Sequence, residues 1–435
     1  MFNRIRRVNL FLTSISLKES IQLILYSLYC LFFIRVNFSS KRKKNFSRKF
    51  SVNFKNKYKS LAAITVPSAR VGLLSILSAM NIGKGDEVLI TGYSCSAVAE
   101  SLLFLGIKPV YVDIDLKNYG IDALEAKKLI TSKAKAIIVQ HTFGIPADID
   151  KIKSLATEYD LKVIEDCALA LGSKDGDYYL GTFGDASIFS FEISKTISVG
   201  WGGLILINND KKLEAQINDF VNEFRYLSRL KSFKCLFQAG ISSILYNHNL
   251  YKFGGLIISF FIKIGFFKKS EIVFNKNEMP DDYLSHLPEI QWLILDKLLK
   301  RLDDINDFQK SVSIKYYELL KEVGCNINRN LVGNYALIRF PILVKEKDRI
   351  LEFFESNGVE LGTWFSHPVT LNKDNLSSYD YVSGSCKNAE FASKHIINLP
   401  THNRLNDKDL KKICNLLKKY FTSYPEEIDF VNNNQ

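Results

Sequence analysis

The sequence predicts an α/β fold: a large, mostly parallel sheet domain followed by a smaller C-terminal α/β domain. Three observations predict it. Short apolar runs alternate with amphipathic helical patterns from Leu61 to Ile207, the spacing of right-handed βαβ units. Tyr93, His141, Asp166 and Lys195 fall at successive strand ends, where parallel sheets bind ligands. The 435 residues, 47% hydrophobic and 24% charged, suffice for two packed domains. The expected divisions are a basic, apolar N-terminal arm over 1–60, the large domain over 61–295 with an apolar insert near 228–275, and the small domain over 296–435.

The elements follow in order. Pro67-Ser-Ala-Arg-Val-Gly72 opens a helix whose Val71, Leu74, Leu77 and Met80 recur at helical spacing. The small residues at its start leave backbone N–H groups for an anion, and Arg70 could add charge. Glu87–Ile90 reads as a strand, Tyr93–Leu105 as a helix and Pro109–Asp113 as a strand. Asp122–Ile130 is helical, Ala136–Gln140 a strand, Asp148–Tyr159 a helix and Leu161–Glu165 a strand. A helix over 211–226 closes this series. Ile290–Glu322 reads as one long helix linking to the second domain. There, strand Ala336–Val344, helix Lys347–Asn357, a short edge at Val359–Gly362 and helix Asp407–Tyr420 suggest a βαβ-like unit.

Composition narrows the function classes. The net charge of +12 suits an anionic surface, but no zinc-finger, RNA-recognition or basic-zipper pattern points to nucleic acid. Seven scattered cysteines without CxxC spacing suit a reducing, cytoplasmic compartment and no structural metal. Ile21–Ile34 is apolar but falls short of the ~20 residues a bilayer helix needs. It reads as a helix packed on the protein or lying on a membrane face. Leu230–Phe267 is apolar, aromatic and basic together. Internal packing or a subunit contact is its first reading, a membrane face its second.

Chemistry concentrates at Ile188–Gly203. Lys195 sits between an apolar strand and the turn Gly200-Trp-Gly-Gly203. Desolvation there lowers an amine pKa and makes it a nucleophile toward carbonyls. Asp166 ends the apolar strand Leu161-Lys-Val-Ile-Glu-Asp166. A strand-end carboxylate with a lysine on a nearby loop is the pairing that pyridoxal phosphate chemistry requires. The acid keeps the pyridine nitrogen protonated, so the ring can take up electrons.

The pattern resembles a known family. Gly83-Lys-Gly-Asp-Glu-Val88, His141-Thr-Phe-Gly-Ile-Pro-Ala-Asp148, Val163-Ile-Glu-Asp-Cys-Ala168, Gly181-Thr-Phe-Gly-Asp185, Ile188–Lys195, Gly202-Gly203 and Ile397-Asn-Leu-Pro-Thr-His402 look like the DegT/DnrJ/StrS-type sugar aminotransferases. The resemblance runs from about Pro67 to Tyr420. It implies fold type I of the pyridoxal phosphate enzymes and a homodimer with the active site at the subunit interface. It further implies amino transfer, commonly from glutamate, to a nucleotide-linked keto sugar, as in cell-surface polysaccharide or O-antigen synthesis. By resemblance, Lys195 matches the Schiff-base lysine and Asp166 the acid under the pyridine nitrogen. Ser190 matches the hydroxyl on the cofactor phosphate, and Ala69, Arg70 and Val71 the turn holding it. Ala168 matches the small residue on one ring face, and Cys95 the position where an aromatic often stacks.

The sequence departs from the family at three places. Cys95 replaces the stacking aromatic, with Tyr93 two residues away. Leu169 stands where His or Gln usually follows Asp-x-Ala. Met279-Pro-Asp-Asp282 occupies the region of a Gly-x-Asn signature. Two alternatives stay open: a non-catalytic, membrane-associated homologue with a scaffolding or regulatory role, and a pyridoxal phosphate enzyme acting on amino acids. The basic arm and the 230–267 segment suggest peripheral association with the inner face of the cell membrane.

Overall fold

The computed structural model describes residues 7–32, 44–246, 251–267, 279–280, 282–333, 335–369 and 373–434. The basic cluster at 41–43 and part of the aromatic stretch 245–251 lie outside the described residues. Two helices precede the sheet, α1 (Leu17–Phe32) and α2 (Lys44–Tyr58). The sheet strands are β1 (Ala62–Val66), β2 (Glu87–Thr91), β3 (Lys108–Val112), β4 (Ala134–Gln140), β5 (Lys162–Asp166), β6 (Ala186–Ser190) and β7 (Gly203–Ile207). Their order is β1-β7-β6-β5-β4-β2-β3. Strands β6, β5, β4, β2 and β3 pair in parallel, while β7 runs antiparallel to both β1 and β6. Most strand residues are buried, as a sheet covered on both faces requires. The mostly parallel sheet follows the sequence expectation. Strand β1 is an addition that the alternation did not reveal.

Helices α3 (Ala69–Ala79), α4 (Ser96–Phe104), α5 (Ala123–Leu129), α6 (Ile149–Glu158) and α7 (Lys211–Asn222) connect these strands. Local chemistry sets their starts. Ser68 Oγ accepts from the Val71 N–H at 3.2 Å, and Asp148 and Asp210 cap α6 and α7 in the same way. Leu213, Ile217 and Val221 form the buried stripe of α7 at i, i+4, i+8. Helix α4 begins three residues later than the sequence suggests, with Cys95 as its N-cap.

Helix α2 is part of the core. Phe50, Phe54 and Tyr58 recur every fourth residue and are buried. Phe50 meets Phe191 at 5.4 Å and Trp292 at 5.8 Å between ring centroids, and Phe54 meets Phe189 at 5.0 Å. These contacts brace β6 and the loop that carries Lys195. Phe50→Ala is expected to cost about 3–5 kcal/mol of unfolding free energy. A shift in the urea midpoint at unchanged slope is the measurement, and a cost under about 1 kcal/mol would mean that α2 is peripheral.

Helix α1 packs on α8 (Arg229–Leu245), and α8 on α9 (Tyr251–Lys263). At the α1–α8 crossing a Cβ on Gly240 would lie 2.7 Å from Ile24 and 2.9 Å from the Ser20 carbonyl, so only glycine allows the approach. The long helix expected over Ile290–Glu322 is two helices, α10 (Glu289–Leu299) and α11 (Leu302–Glu322). The break falls at Lys300-Arg301, where Arg301 turns to pair with Glu19 of α1 at 2.8 Å. No glycine or proline signals it.

The C-terminal part carries β8 (Arg339–Leu343), α12 (Lys347–Ser356), α13 (Lys387–His395), β9 (Ile396–Pro400), α14 (Asp407–Ser423) and α15 (Pro425–Asn434). Strands β8 and β9 pair antiparallel, which corrects the βαβ-like expectation. One helix between two strands favours a parallel crossover; here α13 reverses the chain once more. The predicted edge at Val359–Gly362 forms only single bridges, Val8 to Val359 and Gly362 to Asn398.

Candidate active site

The sheet brings the predicted residues to one end. Asp166 ends β5 and is paired in register with Ile188 of β6, so Ser190 lies two residues further along the neighbouring strand. Ser190 is buried, and its Oγ is 3.5 Å from the Glu192 N–H. Across β7, Ser190 pairs with Gly203. A Cβ at Gly203 would lie 2.4 Å from the Ser68 carbonyl carbon and 2.5 Å from the Ala69 nitrogen. Glycine there lets the start of α3 press against the sheet. Ala69, Arg70 and Val71 thus begin a helix beside Ser190, with N–H groups suited to an anion. The Arg70 side chain adds no free charge: Glu100 holds it at 2.9 Å and the Tyr283 hydroxyl at 2.6 Å.

Lys195 lies in the loop between β6 and β7. Its Nζ is 5.1 Å from the Trp364 ring centroid and makes no hydrogen bond or ion pair among the described residues. Burial pushes its pKa below the usual lysine value, against the opposing pull of Glu192, Cys95 and Asp166. Asp166 moves the other way. Burial raises its pKa, while the Ala168 N–H, Lys195 and His141 oppose the rise. One Asp166 oxygen accepts from the Ala168 N–H at 2.9 Å, and the other has no partner among the described residues. Cys95 is open to solvent at the cleft wall, although surrounding protein still raises its thiol pKa.

Lys195 is nucleophilic only as the neutral amine. The downward shift enlarges that fraction at any pH below 10.5, the ordinary lysine value. The rate of pyridoxal phosphate capture by cofactor-free protein is therefore expected to rise with pH and level off with a midpoint below 10.5. Rapid-mixing absorbance across pH measures it, and a midpoint at or above that value contradicts the desolvated lysine.

Other expected residues serve the scaffold. His141 is fully buried; its Nδ1 accepts from the Ala147 N–H at 3.1 Å, which leaves Nε2–H to donate to Glu165 at 3.0 Å. Glu165 also accepts from the N–H groups of Gly181, Phe183 and Gly184. Together they fix the turn before β6. Cys167 lies beside this pair, but the hydrogen bonds already commit the His141 and Glu165 atoms that could bind a metal. Tyr93 is buried too. Its hydroxyl donates to the Trp364 carbonyl and accepts from the Phe365 N–H, both at 2.7 Å. It anchors the Trp364 loop. Leu169 packs in the apolar core.

Sequence reasoning left open whether Arg339 touches substrate, and two further features of this wall escaped it. Trp364, from the C-terminal part, faces Lys195. Arg339, on β8, lies on the same ring at 3.3 Å. Leu10, Phe11 and Leu12 line a narrow cavity with Ser194, Lys195 and Thr196, so the arm contributes a wall of the site. It is held there by backbone bonds between Val8 and residues 358–360 and by His402 Nε2–H donating to the Asn9 carbonyl at 3.0 Å. The one available signal was a lone arginine inside the apolar run Ala336–Val344.

With this geometry in place, the sequence profile of the DegT/DnrJ/EryC1/StrS aminotransferase family matches residues 38–236 and 267–418. The chain belongs to this family. It is an aminotransferase, and its cofactor is pyridoxal phosphate. An uncharacterized protein of Methanocaldococcus jannaschii is 29% identical over 378 residues, 85% of this chain and 89% of that one. GDP-perosamine synthase of Vibrio cholerae is 26% identical over 390 residues, covering 88% and 92%. Among solved structures, an aminotransferase from Psychrobacter cryohalolentis superposes with a TM-score of 0.72 at 20% identity, covering 94% of this chain and 98% of that one. A Helicobacter pylori aminotransferase involved in pseudoaminic acid biosynthesis gives 0.71 at 20% identity, covering 96% and 100%. The family's cofactor fits the residues present. The Asp166 oxygen without a partner among the described residues can accept a ring N–H, the α3 start and Ser190 can take a phosphate, and Lys195 offers an amine that no described residue hydrogen-bonds.

Proposed function

We propose that the protein transfers an amino group from glutamate to a nucleotide-linked keto sugar for cell-surface polysaccharide or a related glycan. The carrying observation is the Lys195 amine, without a hydrogen bond or ion pair among the described residues and near enough to the Asp166 carboxylate for each charge to act on the other. Pyridoxal phosphate, when bound, supplies an electron sink for the carbon that gains or loses the amino group. Asp166 holds the ring nitrogen's proton. Ser190 Oγ and the backbone N–H groups of Ala69 and Arg70 would hold the phosphate, Val71 N–H being committed to the Ser68 cap, and the α3 dipole favours its charge. Ala168 and Cys95 would border the ring. Lys195 Nζ would hold the cofactor and is the group placed to take up or give a proton at the substrate carbon. Relatives named for amino sugars, including the Vibrio cholerae synthase, support the substrate class. The test is mass spectrometry after incubation with glutamate and a panel of nucleotide-linked keto sugars. An aminated sugar with stoichiometric 2-oxoglutarate is expected; 2-oxoglutarate without sugar amination sinks the substrate class.

The working form we propose is a homodimer in the cytoplasm, held at the inner face of the membrane. Helices α1, α8 and α9 carry six basic residues and one acid, Glu19, which is buried against Arg301. Leu17, Ile21, Leu25, Leu28 and Phe32 of α1 are exposed at helical spacing, as are Leu256, Ile257 and Phe260 of α9. No helix among the described residues is long and apolar enough to cross a membrane. An exposed apolar face with a basic bias suits an anionic lipid surface. Flotation with phosphatidylglycerol vesicles tests it: Leu25→Asp with Phe260→Asp should abolish binding, and unchanged flotation refutes it. Sedimentation equilibrium tests the dimer, and a monomer at micromolar concentration excludes it.

A further inference from the structure

Helix α1 is built inside out. A helix on a water-facing surface turns its apolar stripe to the core. The stripe that α1 buries is Glu19, Ser20, Leu23, Ser27 and Cys30, with Leu23 its one large apolar side chain. Leu17, Leu25 and Phe32 are instead 63%, 59% and 70% exposed. The partner helix matches this stripe: α8 buries Leu236, Ala239, Gly240, Ser242 and Ser243. Ser20, Ser27 and Ser243 donate back to carbonyls three or four residues earlier in the chain. Close packing of small residues is how helices associate in lipid, where the large apolar side chains face the acyl chains. In water the same pair hides little apolar surface, so this contact holds α1 weakly.

The pair also reaches the catalytic loop from two sides. Gly240 abuts α1, and the preceding residue, Ala239, abuts the turn after Lys195: a Cβ on Gly200 would lie 2.9 Å from Ala239 Cβ. On the other side Leu10, Phe11 and Leu12 line the narrow cavity with Ser194, Lys195 and Thr196, and α1 begins five residues beyond Leu12. Phe11 meets Tyr246, the C-cap of α8, at 5.7 Å between ring centroids. The Lys195 loop thus lies between two segments that α1 joins.

We propose that an anionic bilayer, by covering the outward faces of α1, α8 and α9, holds α1 on α8 and so braces the Lys195 loop. The proposal rests on the membrane association argued above and adds its consequence at the active site. A ligand shifts a conformational equilibrium only through its different affinities for the two states. Detached, α1 would show a bilayer Glu19, Ser20 and Ser27 as well as its apolar side chains; seated on α8, it hides these polar groups. The bilayer therefore favours the seated form. A second copy of the chain is a poorer occupant, because the basic residues of the three helices would oppose themselves across a two-fold axis, whereas an anionic lipid surface pairs with them.

The experiment compares the holoenzyme alone, with phosphatidylglycerol vesicles and with phosphatidylcholine vesicles. Flotation reads docking, and amide hydrogen exchange followed by mass spectrometry reads the loop 191–202 between β6 and β7. Phosphatidylglycerol should float the protein and slow exchange in the loop by roughly 5- to 150-fold, the usual span of coupling between two sites. Phosphatidylcholine should do neither. Gly240→Val and Ser27→Leu wedge the helix pair but leave its outward face as it is, so both variants should still float while the slowing is lost. The wild-type comparison stands whether or not these variants fold. Floating protein with unchanged loop exchange would overturn the proposal and leave the membrane association standing; failure to float would end both. Slowing that survives in both wedged variants would also overturn it, because the coupling would not run through α1 and α8. So would slowing that grows with protein concentration in the absence of vesicles, which would assign the face to a second copy.

Discussion

Lys195→Ala is expected to lower transamination by about 10²–10⁴-fold, the range lost with a positioned acid/base, and more where attachment of the cofactor is also needed. The purified variant should lack the visible absorption of lysine-bound cofactor. The physical reason is local: burial lowers the amine pKa, and no described carboxylate hydrogen-bonds it. Thermal melting should change little, because the amine makes no hydrogen bond or ion pair among the described residues, so its removal takes away no structural bond. Turnover within tenfold of wild type would end the assignment of Lys195 as the acid/base. Loss of activity with collapsed folding would not count as support, so melting and absorption are measured together.

Asp166→Asn is expected to cost roughly 10²–10³-fold in turnover, the scale of removing one preorganised electrostatic group. The amide is nearly isosteric and can still accept from the Ala168 N–H, so the strand end should keep its shape. What it cannot do is carry negative charge against a protonated ring nitrogen. The raised pKa of Asp166 bears on the direction. Burial disfavours its anion in the free protein, and a cationic ring nitrogen would reverse that preference. The cofactor should also leave Asp166→Asn faster on dialysis. Equal turnover and equal retention would show that the carboxylate does not meet the ring.

Much of this site was legible in the sequence because its parts sit on consecutive strands. Alternating apolar runs fix a parallel sheet, and such a sheet places strand ends together. Asp166 and Ser190 could be brought side by side from their positions alone, and the family resemblance that these motifs suggested is confirmed by the match over residues 38–236 and 267–418. The individual roles of Asp166, Ser190 and Lys195 rest on the experiments above. His141 shows the limit of the strand-end argument. It lies where ligands bind, yet faces the turn before β6 and holds Glu165. Position along a strand does not say which face a side chain takes once neighbouring turns compete for it.

The sequence by itself determined a mostly parallel sheet and put Asp166 and Lys195 at neighbouring strand ends, because both depend on hydrophobic period and local turns; the role of Ser190 came from the family resemblance. Only the tertiary structure decided the opposite wall. Trp364, Arg339 and Leu10–Leu12 come from the two far ends of the chain and meet Lys195 through packing. Tyr93 holding the Trp364 loop, and Val8 bridging Val359, are contacts between residues hundreds of positions apart. No local period encodes such a contact. It follows from how two buried surfaces fit, and that fit leaves a charged arginine unpaired beside the lysine.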